Sequence, residues 1–299
     1  MILLAVLVYV FAHHVDWTVL GHALRHAEMV PLALATALFF ITLLGKSYAW
    51  QILLAPRRIV PLGSIYRYTI VAFAGSVLAP ARAGEVLRVL ALKRRHDVPT
   101  AESAAIVVTD KLLHVVSLLL MAAPLPLLVP QLPTWVESSM LIFGGVAVAV
   151  LVAIYIAVTR AQAHEPRSWF AKFQAGLHAF REPKRLAAAL GVIAVVWLFD
   201  MLAVVCVLQS VGVELSMGSA LFILFTINIS IAAPTTPANI GPMQLGALLA
   251  TGLLGIPSEP ALAFALLYHA IQIFPLLVVG SVLEFRLVIP GGTRGKLAA

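Results

Sequence analysis

The sequence predicts an all-α polytopic membrane protein with about six transmembrane helices and two opposed re-entrant hairpins arranged as an inverted internal repeat. Three observations lead there. Of the 299 residues, 62% are hydrophobic and 11% charged, far from the usage of a soluble domain. The apolar residues fall in runs long enough to cross the ~30 Å hydrocarbon core, which takes about 20 helical residues. Two further apolar stretches are broken by similar Pro-x-x-x-Gly motifs, Pro80-Ala81-Arg82-Ala83-Gly84-Glu85 and Pro237-Ala238-Asn239-Ile240-Gly241-Pro242. A helix running through such a motif loses backbone hydrogen bonds. In lipid this is tolerated only where the freed groups are buried in protein or line a polar cavity.

Taken in order, apolar runs place spans near 1–20, 30–55, 101–129, 136–159, 186–210 and 260–288. The first is the weakest, since Met1–Ala12 needs His13, His14 and Asp16 to reach full length. It does not read as a cleavable signal, because no basic segment precedes it and no small-x-small site follows. The broken regions lie near 62–95 and 216–255. In the first, the limb after Gly84 meets Lys93-Arg94-Arg95-His96-Asp97 within about 9–12 residues. That length rises about 14–18 Å, well short of a crossing, so the region reads as a hairpin that returns to its own face. The second is read likewise. Residues 167–182 place Trp169, Phe173, Leu177 and Phe180 on one helical stripe among basic residues, the pattern of an interfacial helix.

The basic residues agree with this topology. All but Arg25, Lys46 and Lys111 of the 20 Lys and Arg fall on the side that holds both termini, the first hairpin mouth and the loop near 160–185. The positive-inside rule makes that side cytoplasmic, and the cytoplasmic (inner) membrane is the expected location. The net charge of +7 is therefore orientation rather than a nucleic-acid footprint. The single cysteine, Cys206, excludes an internal disulfide and reads as packing.

The two breaks extend into a repeat, about 30–129 and 186–288, within a single membrane domain over 1–299. Val98-Pro99-Thr100 meets Ile256-Pro257-Ser258; on that register Asp110-Lys111 falls on Tyr268-His269 and His114 on Gln272. The span at 136–159 separates the copies and inverts them, an architecture of transporters with a midplane site.

Candidate site residues follow. Arg82 supplies a guanidinium fork suited to phosphate, beside a helix start at Gly84 whose free N–H groups favour anions. Glu85 can cap that helix, and the alternative is a structural Arg82–Glu85 pair. Arg88 is expected to face the same cytoplasmic vestibule. Asn239, Gly241 and Gln244 form the uncharged second tip, with Asn228, Thr235 and Thr236 expected to satisfy broken backbone there. Lys46, Asp110, Lys111, His114 and Asp200 lie deep in spans, where ionisable groups are costly and face a bundle interior or cavity. Lys46 with Asp200, and Lys111 with Glu85 or Asp110, are the expected pairs. Tyr268, His269 and Gln272 complete the polar set, with His269 either a hydrogen-bonded interior group or a proton relay. No metal or cofactor is expected: His13, His14, His22 and His26 lack a carboxylate or cysteine framework. No Walker loop, G-x-S-x-G elbow or HExxH occurs, so no ATPase or hydrolase is indicated.

The stretch Ala81-Arg82-Ala83-Gly84-Glu85-Val86-Leu87-Arg88 resembles the R-x-G-E signature of the flippase-like membrane domain of lysylphosphatidylglycerol synthases. Pro237 to Gln244 resembles that family's P-G-G-x-G-x-x-E motif. Stand-alone relatives include hopanoid-associated and archaeal glycosylation-linked proteins. The family often has E-R-x-x-D where this chain has Asp110-Lys111-Leu112-Leu113-His114, Y-R at Tyr268-His269, and Glu at Gln244. The resemblance covers nearly the whole chain and lacks the soluble aminoacyl-transferase part, so a non-enzyme is expected. It implies movement of a lipid headgroup across the bilayer, with a phospholipid, polyprenyl-phosphate or hopanoid-class substrate and room for a lipid-modifying enzyme partner. The other readings are an ion- or proton-coupled carrier of a small anion, and a non-transporting scaffold for such an enzyme.

Overall fold

The computed structural model describes residues 17–54, 59–78, 83–129, 134–160, 169–232 and 236–288. These form helices, with no strand among the described residues: α1 Trp17–His26, α2 Met29–Leu54, α3 Leu62–Leu78, α4 Ala83–His96, α5 Thr100–Ala122, α6 Leu125–Leu128, α7 Thr134–Arg160, α8 Trp169–Gly176, α9 Pro183–Ser210, α10 Met217–Ser230, α11 Pro242–Leu253 and α12 Ser258–Val288. Short 3₁₀ turns occupy Leu177–Arg181 and Pro237–Asn239.

Five segments among the described residues are long and apolar enough to cross a membrane: Met29–Leu54, Thr100–Leu128, Thr134–Ile154, Pro183–Ser210 and Ser258–Leu283. The chain is thus an all-α polytopic membrane protein. The run expected to span near 1–20 lies mostly outside the described residues, and its last part begins the ten-residue helix α1. Large apolar side chains cover the outside of the bundle, as with Val30 and Leu141, 81% and 77% exposed. Such a surface suits lipid rather than water.

Local chemistry sets the helix ends. Pro183 and Pro242 stand in the first turns of α9 and α11, where their missing N–H is no loss. The Ser216 hydroxyl caps α10 by accepting from the Ser219 N–H at 3.1 Å. α4 carries Glu85 in its first turn and Lys93, Arg94, Arg95 and His96 in its last, both favourable to the helix dipole.

A long helix, two short helices and a long helix follow in order twice: α2, α3, α4, α5, then α9, α10, α11, α12. α3 packs on α4, and α10 on α11. In each hairpin the second helix approaches the first at a glycine. A Cβ on Gly84 would collide with the Ala72 carbonyl and the Ser76 hydroxyl, and one on Gly246 with Ser230 and Ile227. The two leading helices, α2 and α9, form the most extensive helix contact among the described residues. Hydrogen bonds stitch these layers inside the apolar interior: Ser47 Oγ to Thr69 Oγ1 at 2.9 Å joins α2 to α3, and Trp197 Nε1 to the His114 carbonyl at 3.2 Å joins α9 to α5.

The segment expected as an interfacial helix, 167–182, forms α8 and the following 3₁₀ turn, an elbow docked on α5. Leu177 is buried against Ala105, with Phe173 and Phe180 packed around them, while Trp169 is exposed and stacked on Phe173 at 5.5 Å. Gly176 makes the docking possible, lying against the Glu102 backbone. Cys206 is buried and free.

Candidate functional site

Among the described residues, the expected polar site residues gather into three groups. The first joins the start of α4 to the middle of α5. Lys111 Nζ lies 2.8 Å from Glu85 Oε1 and 3.9 Å from Asp110 Oδ2. His114, one turn along α5, places Nε2 3.7 Å from Asp110 Oδ1. Arg88 lies one turn beyond Glu85 on α4. It does not face a vestibule as expected; it is 6% exposed, with Cζ 3.3 Å from the centroid of the Trp50 ring. Trp50 is supplied by α2 and is itself buried. The charges of Asp110 and Glu85 both act on the guanidinium. Among the described residues, Arg88 Nε and Nη2 have no hydrogen-bond partner. Unsatisfied donors at this depth are costly, and a guanidinium fork is the side-chain group best suited to an anion.

The second group is the pair Lys46–Asp200, Nζ to Oδ2 3.6 Å, between α2 and α9. Lys46 also stands 5.8 Å over the Phe73 ring of α3. The three cations Lys46, Arg88 and Lys111 match the three carboxylates Glu85, Asp110 and Asp200 in number. Buried charges held in this proportion are far cheaper than isolated ones.

The third group is the second tip. Ala238 and Asn239 hold φ of 53° and 56°, and Gly241 of 97°; the first two are left-handed conformations costly for side-chain-bearing residues. Thr236 Oγ1 donates to the Ile240 carbonyl at 2.7 Å, and the Asn239 N–H to the Thr236 carbonyl at 3.2 Å. Gln244 Oε1 accepts from the Gly241 N–H at 2.8 Å, and its Nε2 meets His269 Nδ1 at 2.6 Å. His269 Nε2 lies 2.8 Å from the Ala238 carbonyl. Ala238 also packs against the cluster of Phe39, Ile70, Ala74 and Val77, so the second tip is seated on the first hairpin. Tyr268 is buried against Phe264, and Gln272 donates to the Tyr268 carbonyl at 3.1 Å.

Not every expectation survives. Among the described residues, Asn228 Nδ2 donates to the Leu224 carbonyl one turn back in α10, at 2.8 Å, and not to the tip. The expected Lys111–Glu85 pair, by contrast, does form, through one carboxylate oxygen of Glu85. Gly84 is closed on one side by α3, which narrows the expected anion seat. Arg82 and Thr235 lie outside the described residues. The sequence reading missed Trp50 and Trp197. Each is an indole whose N–H needs a partner in an apolar span, which was the available signal.

An apolar bundle with lipid-facing long helices and paired ionisable groups inside is a polytopic helical membrane protein with a buried ionic site. A family model described as "Lysylphosphatidylglycerol synthase TM region" matches residues 1–280, and the chain belongs to that family. The family is a membrane domain tied to lipid headgroup handling. No curated protein matches the chain.

Proposed function

We propose that this protein is a flippase- or scramblase-like transporter of the cytoplasmic membrane that moves a phosphate-bearing lipid headgroup across the bilayer. The observation that carries the reading is Arg88, buried beside Glu85, Asp110 and Lys111 with guanidinium donors left unpartnered. Ionisable groups are kept in a membrane interior at such cost chiefly for function.

In this reading the two hairpins are re-entrant and enter from opposite faces. The 14 residues of α10 and 12 of α11 rise about 21 and about 18 Å, too short to cross. α4 has 14 residues and a basic last turn that belongs in cytoplasmic water. Both termini then lie in the cytoplasm. Each hairpin closes one side of a shared site, and the tails of the lipid stay outside the bundle. The described ionic cluster is balanced, so Arg82 at the first tip adds the surplus positive charge that draws phosphate. Lys111 exchanges Glu85 for the phosphate as the headgroup passes.

The experiment is reconstitution of the purified protein into liposomes carrying headgroup-labelled phospholipid, with bleaching of the outer leaflet by an impermeant reductant. Bleaching beyond the outer-leaflet half supports the reading. Bleaching equal to protein-free vesicles, with uptake of a small soluble anion instead, would favour the carrier reading. Neither activity, with a lipid-modifying enzyme bound, would favour the scaffold.

A further inference from the structure

The second tip is tied to α12 by a hydrogen-bond relay whose polarity is fixed at both ends. The Gly241 N–H can only donate, and it meets Gln244 Oε1 at 2.8 Å. The amide therefore turns Nε2, a donor, to His269 Nδ1 at 2.6 Å. That nitrogen must accept, so the proton of a neutral ring sits on Nε2. Nε2–H then donates to the Ala238 carbonyl at 2.8 Å, a group that can only accept. Every position suits a neutral imidazole with the proton on Nε2.

A second proton breaks the pattern, because both nitrogens of an imidazolium donate. Nδ1–H would face the amide N–H. The amide can turn its oxygen to the ring, but its NH₂ then faces the Gly241 N–H. One bond of the relay is lost either way. The loss falls on the segment least able to bear it, since Ala238 and Asn239 are held at φ of 53° and 56°, conformations that persist only when their surroundings impose them. Besides the hydrogen bonds within the turn, the relay holds it from outside at two points, the Ala238 carbonyl and the Gly241 N–H at the start of α11.

We propose that His269 is a proton-binding site that holds the second tip closed while neutral and releases it when protonated. As a control on transport it rests on the transporter reading; as a property of the tip it does not. Other titratable groups stand on every element packed against α12 except α11, which contributes Gln244. α3 carries Tyr66, Arg67 and Tyr68; α2 carries Lys46 and Tyr48; α9 carries Lys184, Arg185, Asp200 and Cys206; α1 carries His22, Arg25 and His26. On α12 itself, Tyr268 adjoins His269, and Glu259 pairs with His22 at 3.7 Å at the helix start. The relay is distinguished from these by its two fixed ends, and Gln244 is the residue that isolates it experimentally.

The test uses the full chain with Cys206→Ala and a reporter Ile240→Cys, treated with dithiodipyridine, a thiol probe that reacts in acid. Each rate is divided by that of the same protein unfolded at the same pH. Between about pH 8 and about pH 4 the normalised rate should rise about fivefold, the effect of losing one ordinary hydrogen bond. His269→Gln should abolish the rise. Gln244→Glu should also abolish it while its carboxylate is ionised, because that group accepts from the Gly241 N–H and the ring N–H together. Hydrogen exchange of the 237–245 segment in the unsubstituted protein reads the same opening without a cysteine. A flat profile in the native tip, a rise that survives His269→Gln, or acid opening of Gln244→Glu at the native pH each overturns the proposal. These readouts follow the tip and not lipid, so their failure leaves the transporter reading standing.

Discussion

The guanidinium of Arg88 sits over the indole of Trp50, Cζ 3.3 Å from the ring centroid, with both side chains buried. The contact joins the second helix of the first hairpin to the first long helix. It depends on a planar cation, because a lysine ammonium is a compact point charge that cannot spread over the ring. Arg88→Lys should therefore lower stability by about 1–2 kcal/mol, read as an earlier unfolding midpoint in detergent. An unchanged midpoint would show that charge alone, and not stacking, holds the hairpin.

Asp110 and Glu85 both face Lys111, but their surroundings differ. Asp110 is 4% exposed and also near Arg88 and His114, whereas the Glu85 side chain is 30% exposed. Asp110→Asn leaves buried cations uncompensated and should cost about 3–5 kcal/mol. Glu85→Gln should cost less than about 1 kcal/mol, since water screens that end of the pair. Denaturant titrations of the two variants would settle the order, and equal losses would contradict it.

Lys46 and Asp200 invite a double-mutant cycle. Lys46→Met and Asp200→Leu each strand one charge between α2 and α9, and each should destabilise the fold markedly. The double variant replaces the pair with apolar side chains and should recover most of the loss. Additive losses would mean the two groups do not act on each other, despite their 3.6 Å separation.

Gly84 separates a packing role from a conformational one. A methyl group there collides with the Ala72 carbonyl, whereas Gly144 on α7 has nothing within 4 Å. Gly84→Ala should cost about 1–3 kcal/mol through overpacking, and Gly144→Ala should be close to neutral. Similar midpoints for the two would show that α3 and α4 can move apart freely.

The architecture was legible where a physical cost leaves a mark on composition. Long apolar runs, a Pro-x-x-x-Gly break in each half and lysines stranded in spans all carry such a cost. The pairing of Lys46 with Asp200 followed from it, because two opposite charges deep in apolar helices have few other partners. The position of Arg88 was not legible. Its sequence neighbours are the basic residues of a helix end, and the indole that takes it into the interior lies in another helix. The docked elbow at Trp169–Arg181 escaped for a related reason: an apolar stripe reports that a surface is covered, without saying whether lipid or α5 covers it. The Gln244–His269 relay depends on fixed donor and acceptor ends that only folded backbone defines.

Passage of a phosphate-bearing headgroup between the two hairpins, drawn by the cations of the first, is tested by the rate of labelled-phospholipid translocation in liposomes for the native chain and for Arg82→Ala, with both shown folded by their unfolding midpoints. Rapid translocation by the native protein is expected, with a loss of at least about tenfold in Arg82→Ala, the effect of removing about 1.4 kcal/mol of phosphate recognition. Native-like translocation by Arg82→Ala, or none by the native protein above empty vesicles, would contradict this route.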